Sequence, residues 1–194
     1  MLATVALAAC SHNTKSGAEA TSSTASTSST TVVTTDPQLP DRLPKPVVLS
    51  ATGVGGIAFG RAASQAEAVL VASLGPSASD SGWADDKCAE ERVRTLRWGA
   101  LEIRFADDGT GARLDGWLLE RASGERPAAV RVAPDIGFET TWPRLQSLGA
   151  VWEEGYDRWS IAGRSLLGRL STASPSRSGT VTAIGGGATN LLGC

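Results

Sequence analysis

The stretch LEIRFADDGTGARLDGWLL, residues 101–119, decides the fold class that the sequence predicts. Apolar and charged side chains alternate from Leu101 to Phe105, and this two-residue period is typical of a half-buried strand. The Asp- and Gly-rich residues 107–111 predict a hairpin loop, and residues 116–119 return as a second strand. The stretch therefore predicts an antiparallel hairpin with one face in the core.

A short helix is expected upstream of this hairpin, after a short strand at residues 47–49. Ser64 and, three residues later, Glu67 match the capping box that begins many helices. Apolar residues follow at four-residue spacing over residues 66–74, which predicts one buried helix face. Gly75-Pro76 would end the helix, because Gly adopts the conformation that follows a helix and Pro cannot continue it.

The second half of the chain is predicted to repeat this order of elements. Thr141 is expected to cap a helix that has Pro143 in its first turn, and Gly149 would end it. The predicted strands lie at residues 158–161, 165–170 and 181–184, with a loop at residues 185–187. The predicted fold class is therefore α+β, with short helices packed on an antiparallel sheet. Two such helix-plus-sheet units would stand in tandem, at residues 47–122 and 130–194.

All six Trp residues lie in this predicted domain, which spans residues 47–194. Trp is highly buried on average, so core packing is the first expectation for each of them. A concave sheet face that exposed two or more Trp side chains would instead offer aromatic anchors to a ligand. The candidates for such binding aromatics are Trp83, Trp142 and Trp152.

The first predicted helix and its flanks resemble two families of small extracytoplasmic proteins. The matching features are the Gly-rich residues 56–60, the helix start at residues 64–67 and the helix end at Leu74-Gly75-Pro76. They are similar to the BamE (SmpA/OmlA) type of lipoprotein and to the beta-lactamase-inhibitor-protein-like fold, which contains two such units in tandem. Both resemblances imply a layer of helices on an antiparallel sheet and a function in binding other proteins.

The N-terminus resembles that of bacterial lipoproteins. Leu7-Ala8-Ala9-Cys10 is similar to a lipobox, in which the Cys is acylated after the leader has been removed. The resemblance implies that residues 1–9 are a signal peptide, and we expect its beginning to be shortened because no Lys or Arg precedes Cys10. Two or more acyl chains on Cys10 would hold the protein stably at the extracytoplasmic face of the cell membrane.

Residues 10–46 are predicted to form a disordered linker rich in Ser, Thr and Pro. Residues 21–31 have no periodic apolar face, so they cannot bury enough surface to offset the entropy of ordering. A flexible linker of this length has an end-to-end distance of roughly 30 Å. The folded domain would therefore stand away from the membrane.

The remaining cysteines, Cys88 and Cys194, are expected to form a disulfide, because disulfides persist outside the cytoplasm. Two free buried thiols are the alternative. The single His of the chain, His12, lies in the linker. Two Cys and a distant His are too few ligands for a zinc site, and neither a metal nor a cofactor is expected.

Several patterns that would indicate a reactive site are incomplete. Residues 53–58 match a loose dinucleotide fingerprint, but no buried parallel strand follows the helix. Ser165 sits in an approximate nucleophile elbow, yet residues 47–194 contain no His to act as its base. Two acidic clusters, at residues 85–91 and 153–157, remain as sources of an acid–base pair.

The sequence thus predicts a lipid-anchored extracytoplasmic binding module without catalytic activity, whose partner is an envelope protein or a cell-wall component. A net charge of −2 favours neither nucleic acid nor anionic lipid as a ligand. A cell-wall hydrolase that uses an acidic pair is one alternative. A small-ligand carrier with a deep apolar cavity is the other.

Overall fold

The computed structural model describes residues 45–87, 90–161, 163 and 165–188 of the chain. Cys10, Cys88 and Cys194 lie outside these residues. The predicted lipidation site, the disulfide and nearly all of the linker therefore fall outside the described structure.

The first half of the domain contains three short strands, a helix and five further strands. They are β1 (Val47–Ser50), β2 (Gly53–Val54), β3 (Ile57–Ala58), α1 (Ala63–Leu74), β4 (Ser79–Asp80), β5 (Ala84–Asp85), β6 (Arg92–Trp98), β7 (Leu101–Asp107) and β8 (Arg113–Glu120). The predicted hairpin is confirmed, because β7 and β8 pair antiparallel around the loop that follows Asp107.

The second half contains one short helix and mostly antiparallel strands. They are β9 (Val130–Val132), α2 (Trp142–Ser147), β10 (Val151–Glu153), β11 (Arg158–Ile161), β12 (Leu166–Leu170) and β13 (Val181–Gly187), with 3-10 turns at Arg121–Ser123 and Glu154–Tyr156. The helix α2 follows Thr141 and carries Pro143 in its first turn, as predicted, although the Thr141 side chain makes no capping hydrogen bond.

The described strands form two sheets, and the fold is α+β with sheet predominating. The larger sheet has the order β10-β11-β12-β13-β8-β7-β6-β4, with β5 also paired to β6, and its neighbours are antiparallel. The smaller sheet has the order β3-β2-β1-β9, in which β1 and β9 run parallel. Each sheet therefore combines strands from both halves of the chain.

Two indole hydrogen bonds tie the layers of the domain together. The Trp117 Nε1–H on β8 donates to the Ser50 carbonyl oxygen at the end of β1, at 2.9 Å. The Trp98 Nε1–H at the end of β6 donates to the Gly75 carbonyl oxygen just after α1, at 2.9 Å. Both Trp side chains belong to the buried core, so these bonds also satisfy donors that water cannot reach. The larger sheet is thereby joined to the smaller sheet and to the helix.

The predicted capping box at Ser64 and Glu67 is wrong. The N-cap of α1 is Ala62, and no side chain caps the helix. The backbone N–H of Ala63 instead donates to the Ala112 carbonyl oxygen in the β7–β8 loop, at 3.0 Å, which fixes the helix start through a tertiary contact. Glu67 accepts a hydrogen bond from Arg94 on β6. The predicted helix end is confirmed, because Gly75 follows with a left-handed φ of 79°.

The predicted loop at residues 185–187 is also wrong, because β13 continues through Gly187. These glycines pair with β8 in the centre of the larger sheet. A Cβ added to Gly186 would lie 2.8 Å from Trp117 Nε1 and 3.0 Å from the Ser50 carbonyl oxygen. The glycine is therefore required by the close approach of the Trp117 ring rather than by a turn.

Residues 53–58 form the β2–β3 hairpin and not the strand-to-helix turn of a dinucleotide site. Gly55 and Gly56 close the hairpin with φ values of 60° and 86°, which glycine adopts without steric cost. The stretch therefore lacks the strand-to-helix geometry that the dinucleotide fingerprint describes.

Candidate functional site

One large cavity of the described residues is an open groove of about 860 Å³. It lies between the turn that follows β8 and the loop that leads from β9 into α2. We call it the arginine groove, because Arg121, Arg126 and Arg144 line it together with the ring of Phe138. A cleft of this volume is large enough for a small molecule or for several side chains of a peptide.

The wall of the groove is held by backbone and guanidinium contacts. The Arg121 Nη2–H donates to the Phe138 carbonyl oxygen at 2.7 Å and to Glu139 Oε1 at 2.8 Å. The Arg121 guanidinium carbon also lies 5.4 Å from the centre of the Phe138 ring, within cation–π range. The backbone N–H of Gly137 donates to Thr140 Oγ1 at 2.9 Å. The loop that carries Phe138 is therefore fixed from both sides.

The other two guanidinium groups of the groove are available to a ligand. Within the described residues, Arg126 and Arg144 form no ion pair, and the contact of Arg144 with Ser147 Oγ is a long 3.4 Å. Both side chains are exposed. The carboxylates of Glu125 and Asp135 also line the groove, so its charge is mixed. Exposed guanidinium groups that form no ion pair can bind carboxylates through two parallel hydrogen bonds.

The three Trp residues predicted to bind a ligand are not gathered on one surface. Trp142 is only 8% exposed and belongs to the core, which removes it from any binding surface. It packs edge-on against the half-buried Trp152, with ring centres 6.1 Å apart and an interplanar angle of 83°. Trp83 lies between β4 and β5, with the Arg92 guanidinium 6.0 Å from its ring centre. Trp152 lies on β10 and Trp83 lies in the connection between β4 and β5, so the two residues are at opposite ends of the larger sheet.

Two carboxylates of the first acidic cluster, residues 85–91, are engaged by arginines. Arg104 Nη2 is 2.7 Å from Asp86 Oδ2, and Arg104 Nε–H donates to Asp115 Oδ2 at 2.8 Å. Arg113 pairs with Glu91 of the same cluster. Burial opposes the charge of Arg104, but its bonds to Asp86 and Asp115 outweigh this and raise its pKa. The side chains of Asp86, Glu91 and Asp115 thus act as partners of structural cations.

Glu153 and Glu154 of the second acidic cluster, residues 153–157, line a separate cavity of about 500 Å³, whereas Asp157 does not. We call this cavity the aromatic pocket, because Trp152 and Tyr156 line it with Glu153, Glu154 and Ser160. Glu153 accepts a hydrogen bond from the Arg158 Nε–H at 2.9 Å, so its carboxylate is already paired. The structure therefore brings one predicted binding aromatic and one predicted acidic cluster together in a single place.

A third cavity, of about 640 Å³, is a groove between β1 and α1 with a largely apolar lining that includes Val48 and Val69. It is open to solvent along its length rather than enclosed. In the part of the chain that the structure describes, no three His, Cys, Asp or Glu side chains are placed to hold a metal ion. None of the described helices is long and apolar enough to cross a membrane.

The sequence matches no protein-family model, no curated protein and no solved structure. The candidate site is therefore assigned from its geometry. The sequence reasoning did not single out the arginine groove, because its arginines are separated by as many as 23 positions, from Arg121 to Arg144, and follow no period. No local sequence pattern indicated the cation–π pair of Arg121 with Phe138 either. The aromatic pocket was found in part, through Trp152 and the acidic residues that follow it.

Proposed function

We propose that this protein is a lipid-anchored extracytoplasmic binding module whose arginine groove receives an acidic segment of an envelope protein. The single observation that carries the proposal is the pair Arg126 and Arg144, which line the arginine groove without a carboxylate partner among the described residues. The neighbouring Phe138 ring adds an apolar surface to the same groove.

The chemistry of the groove favours a carboxylate that arrives with an apolar neighbour. A guanidinium presents a planar fork that matches the two oxygens of a carboxylate, and charged hydrogen bonds of this type are among the stronger ones. Glu125 and Asp135 would repel a uniformly acidic ligand and so favour one whose carboxylates are spaced to meet the arginines. The ligand class is therefore an acidic peptide segment with an interleaved apolar or basic residue.

The predicted anchor agrees with a binding role outside the cytoplasm. Acyl chains on Cys10 would fix the chain to the membrane, and the linker up to residue 46 would let the domain search a volume of roughly 30 Å radius. Tethering of this kind raises the effective concentration of a binding site near its partner. A module that only captures its ligand needs no reactive side chains of its own.

The hydrolase alternative has less support than the binding module. A glycosidase needs one carboxyl group kept as an acid and another placed across a cleft. Asp86 and Glu91 pair with arginines, and Glu153 pairs with Arg158, so each of these carboxylates already has a cationic partner. The exposed Glu154 and Asp157 lie on a 3-10 turn and on the residue after it.

We further propose that residues 47–122 and 130–194 are two copies of one ancestral unit. Each half runs from a strand, β1 or β9, through a helix to an antiparallel meander. The last strands of the two meanders, β8 and β13, are neighbours, so the order of the larger sheet is nearly symmetrical about that pair. The first strands β1 and β9 also pair with each other. This arrangement agrees with the resemblance to folds that contain two such units.

The proposed binding is tested by photocrosslinking in intact cells with a photoreactive amino acid at position 139, on the rim of the groove. We expect one specific adduct with an envelope protein, and a loss of about tenfold or more when Arg126→Glu and Arg144→Glu are combined. The matched control is Arg61→Glu, an exposed arginine outside the groove, which should keep the adduct. An adduct that survives the double charge reversal would refute the assignment of the groove.

The anchor is tested separately by labelling cells with a palmitate analogue. We expect the label on the full chain and its loss in Cys10→Ala, with the variant released from the membrane fraction. Membrane retention of an unlabelled Cys10→Ala chain would contradict the proposed anchor. It would leave the test of the arginine groove unaffected, because crosslinking reports on the folded domain.

A further inference from the structure

The aromatic pocket shares no lining residue with the arginine groove, and one of its residues, Ser160, carries a hydroxyl that makes no hydrogen bond within the described residues. Ser160 on β11 is only 6% exposed and lines the pocket. Its backbone is paired within the sheet, but its hydroxyl makes no hydrogen bond in the residues that the structure describes. The Ser160 oxygen is not among the buried atoms that lack a partner, so it is accessible from the pocket and can bond to a ligand there.

Two aromatic side chains form the walls of the pocket, and both are held in position by neighbours. Tyr156 is 66% exposed, and the Arg158 guanidinium carbon lies 4.4 Å from its ring centre. Arg158 is itself bonded to Glu153, so the guanidinium that stacks on Tyr156 is fixed. Trp152 is half-buried and rests against the edge of Trp142. An exposed ring that is already oriented loses little entropy when a ligand stacks on it.

The floor of the pocket allows a flat ligand to approach closely. Gly149, Gly155 and Gly163 line the pocket, and a Cβ added at any of them would meet no atom within 4 Å. The exposed carboxylate of Glu154 stands at the rim and is a strong hydrogen-bond acceptor. The pocket thus offers aromatic faces beside a hydroxyl and a carboxylate, with open space between them.

This combination matches a pyranose ring better than an anion or a purely apolar molecule. A pyranose has an apolar face of C–H groups, which packs on aromatic rings, and an edge of hydroxyl groups, which bond to carboxylates and hydroxyls. The carboxylates of Glu153 and Glu154 disfavour phosphates and uronic acids. We propose that the aromatic pocket binds a neutral or N-acetylated pyranose ring of a glycan.

The experiment uses the full chain in detergent and two soluble probes, chitotetraose and cellotetraose, titrated in a two-dimensional NMR experiment on the indole N–H groups. We expect the Trp152 resonance to move with at least one probe while the Trp83 resonance stays in place, because Trp83 lies between β4 and β5 at the opposite end of the larger sheet. Tyr156→Ala should weaken binding by about tenfold and Ser160→Ala by about threefold. Val71→Ala, an exposed apolar residue on α1, should leave it unchanged.

Three outcomes would overturn the proposal. They are the absence of binding by the folded wild-type chain, binding that Tyr156→Ala and Ser160→Ala do not weaken, and binding of an oligoalanine peptide in place of both sugars. The last result would indicate that β10, at the edge of the larger sheet, adds a peptide strand instead. Co-sedimentation with purified cell-wall sacculi that is lost in Tyr156→Ala would show that the bound pyranose belongs to the cell wall. Sugar binding without co-sedimentation would show that the pyranose belongs to another glycan.

Discussion

Replacing Gly186 by Ala should separate the two sheets at their closest contact. The added Cβ would lie 2.8 Å from Trp117 Nε1 and 3.0 Å from the Ser50 carbonyl oxygen, which are the two atoms of the hydrogen bond between the sheets. Ordinary contact requires a shift of about 0.6 Å, since heavy atoms attract best at about 3.5–4.0 Å. The Trp117 side chain is fully buried and has no space into which it can move.

The cost of this substitution combines overpacking with a weakened buried hydrogen bond. Overpacking of a core by one carbon typically costs about 1–3 kcal/mol, and a buried acceptor left unsatisfied costs about 1–3 kcal/mol more. We therefore expect the free energy of unfolding to fall by about 2–6 kcal/mol. For a domain of this size each kcal/mol lowers the melting temperature by about 3 °C.

Urea denaturation followed by Trp fluorescence measures this loss, and exchange of the Trp117 indole proton reports on the bond itself. Gly155→Ala is the matched control, because its added Cβ meets no atom within 4 Å and its φ is not left-handed. That control should stay within about 0.5 kcal/mol of the wild type. A Gly186→Ala chain as stable as this control, with an equally protected indole proton, would refute the account of why the strand carries glycine there.

Three further substitutions test the ion pairs and the second indole bond. Asp80 has a pKa of about 2, because Arg94 and the Gly82 backbone N–H donate hydrogen bonds to its carboxylate. The charged carboxylate therefore stabilises the fold above pH 4, and this stabilisation is lost as the pH falls through 2. Asp80→Asn should therefore lower stability at neutral pH by only about 0.5 kcal/mol, since the side chain is 42% exposed, and the difference in urea midpoint from the wild type should vanish near pH 2. Arg104→Met should cost about 3 kcal/mol in a urea titration, because Asp86 and Asp115 lose their partner, whereas Arg97→Met, at a 52% exposed side chain, should cost less than about 1 kcal/mol. Trp98→Phe should lower the melting temperature by about 3–6 °C through loss of the bond to Gly75, and an unchanged melting temperature would contradict that bond's role.

Only part of the candidate sites could be predicted from the sequence. Trp152 and the acidic residues of 153–157 stood out by type, and Trp152, Glu153 and Glu154 do line one pocket. Ser160 gave no signal, because nothing local distinguishes a buried serine in a strand from an exposed one. The arginine groove was missed because Arg121, Arg126 and Arg144 come together only through the path of the chain around β9.

The sequence by itself determined those elements whose cause is local. The alternation that begins at Leu101 is sufficient for a half-buried strand, because side chains of a strand point to opposite faces. Gly75-Pro76 is sufficient to end α1, because the steric limits of those two residues act within one turn.

Only the tertiary structure decided the features that depend on distant partners. The start of α1 is set by Ala112 and not by the residues that resemble a cap. The glycines 185–187 form a strand because β8 lies beside them, and the Trp117 ring packs directly on Gly186. Burial and strand register likewise decide which arginines form ion pairs and which remain accessible to a ligand. Burial and register depend on contacts between residues that are far apart in the chain, and no local sequence pattern encodes them.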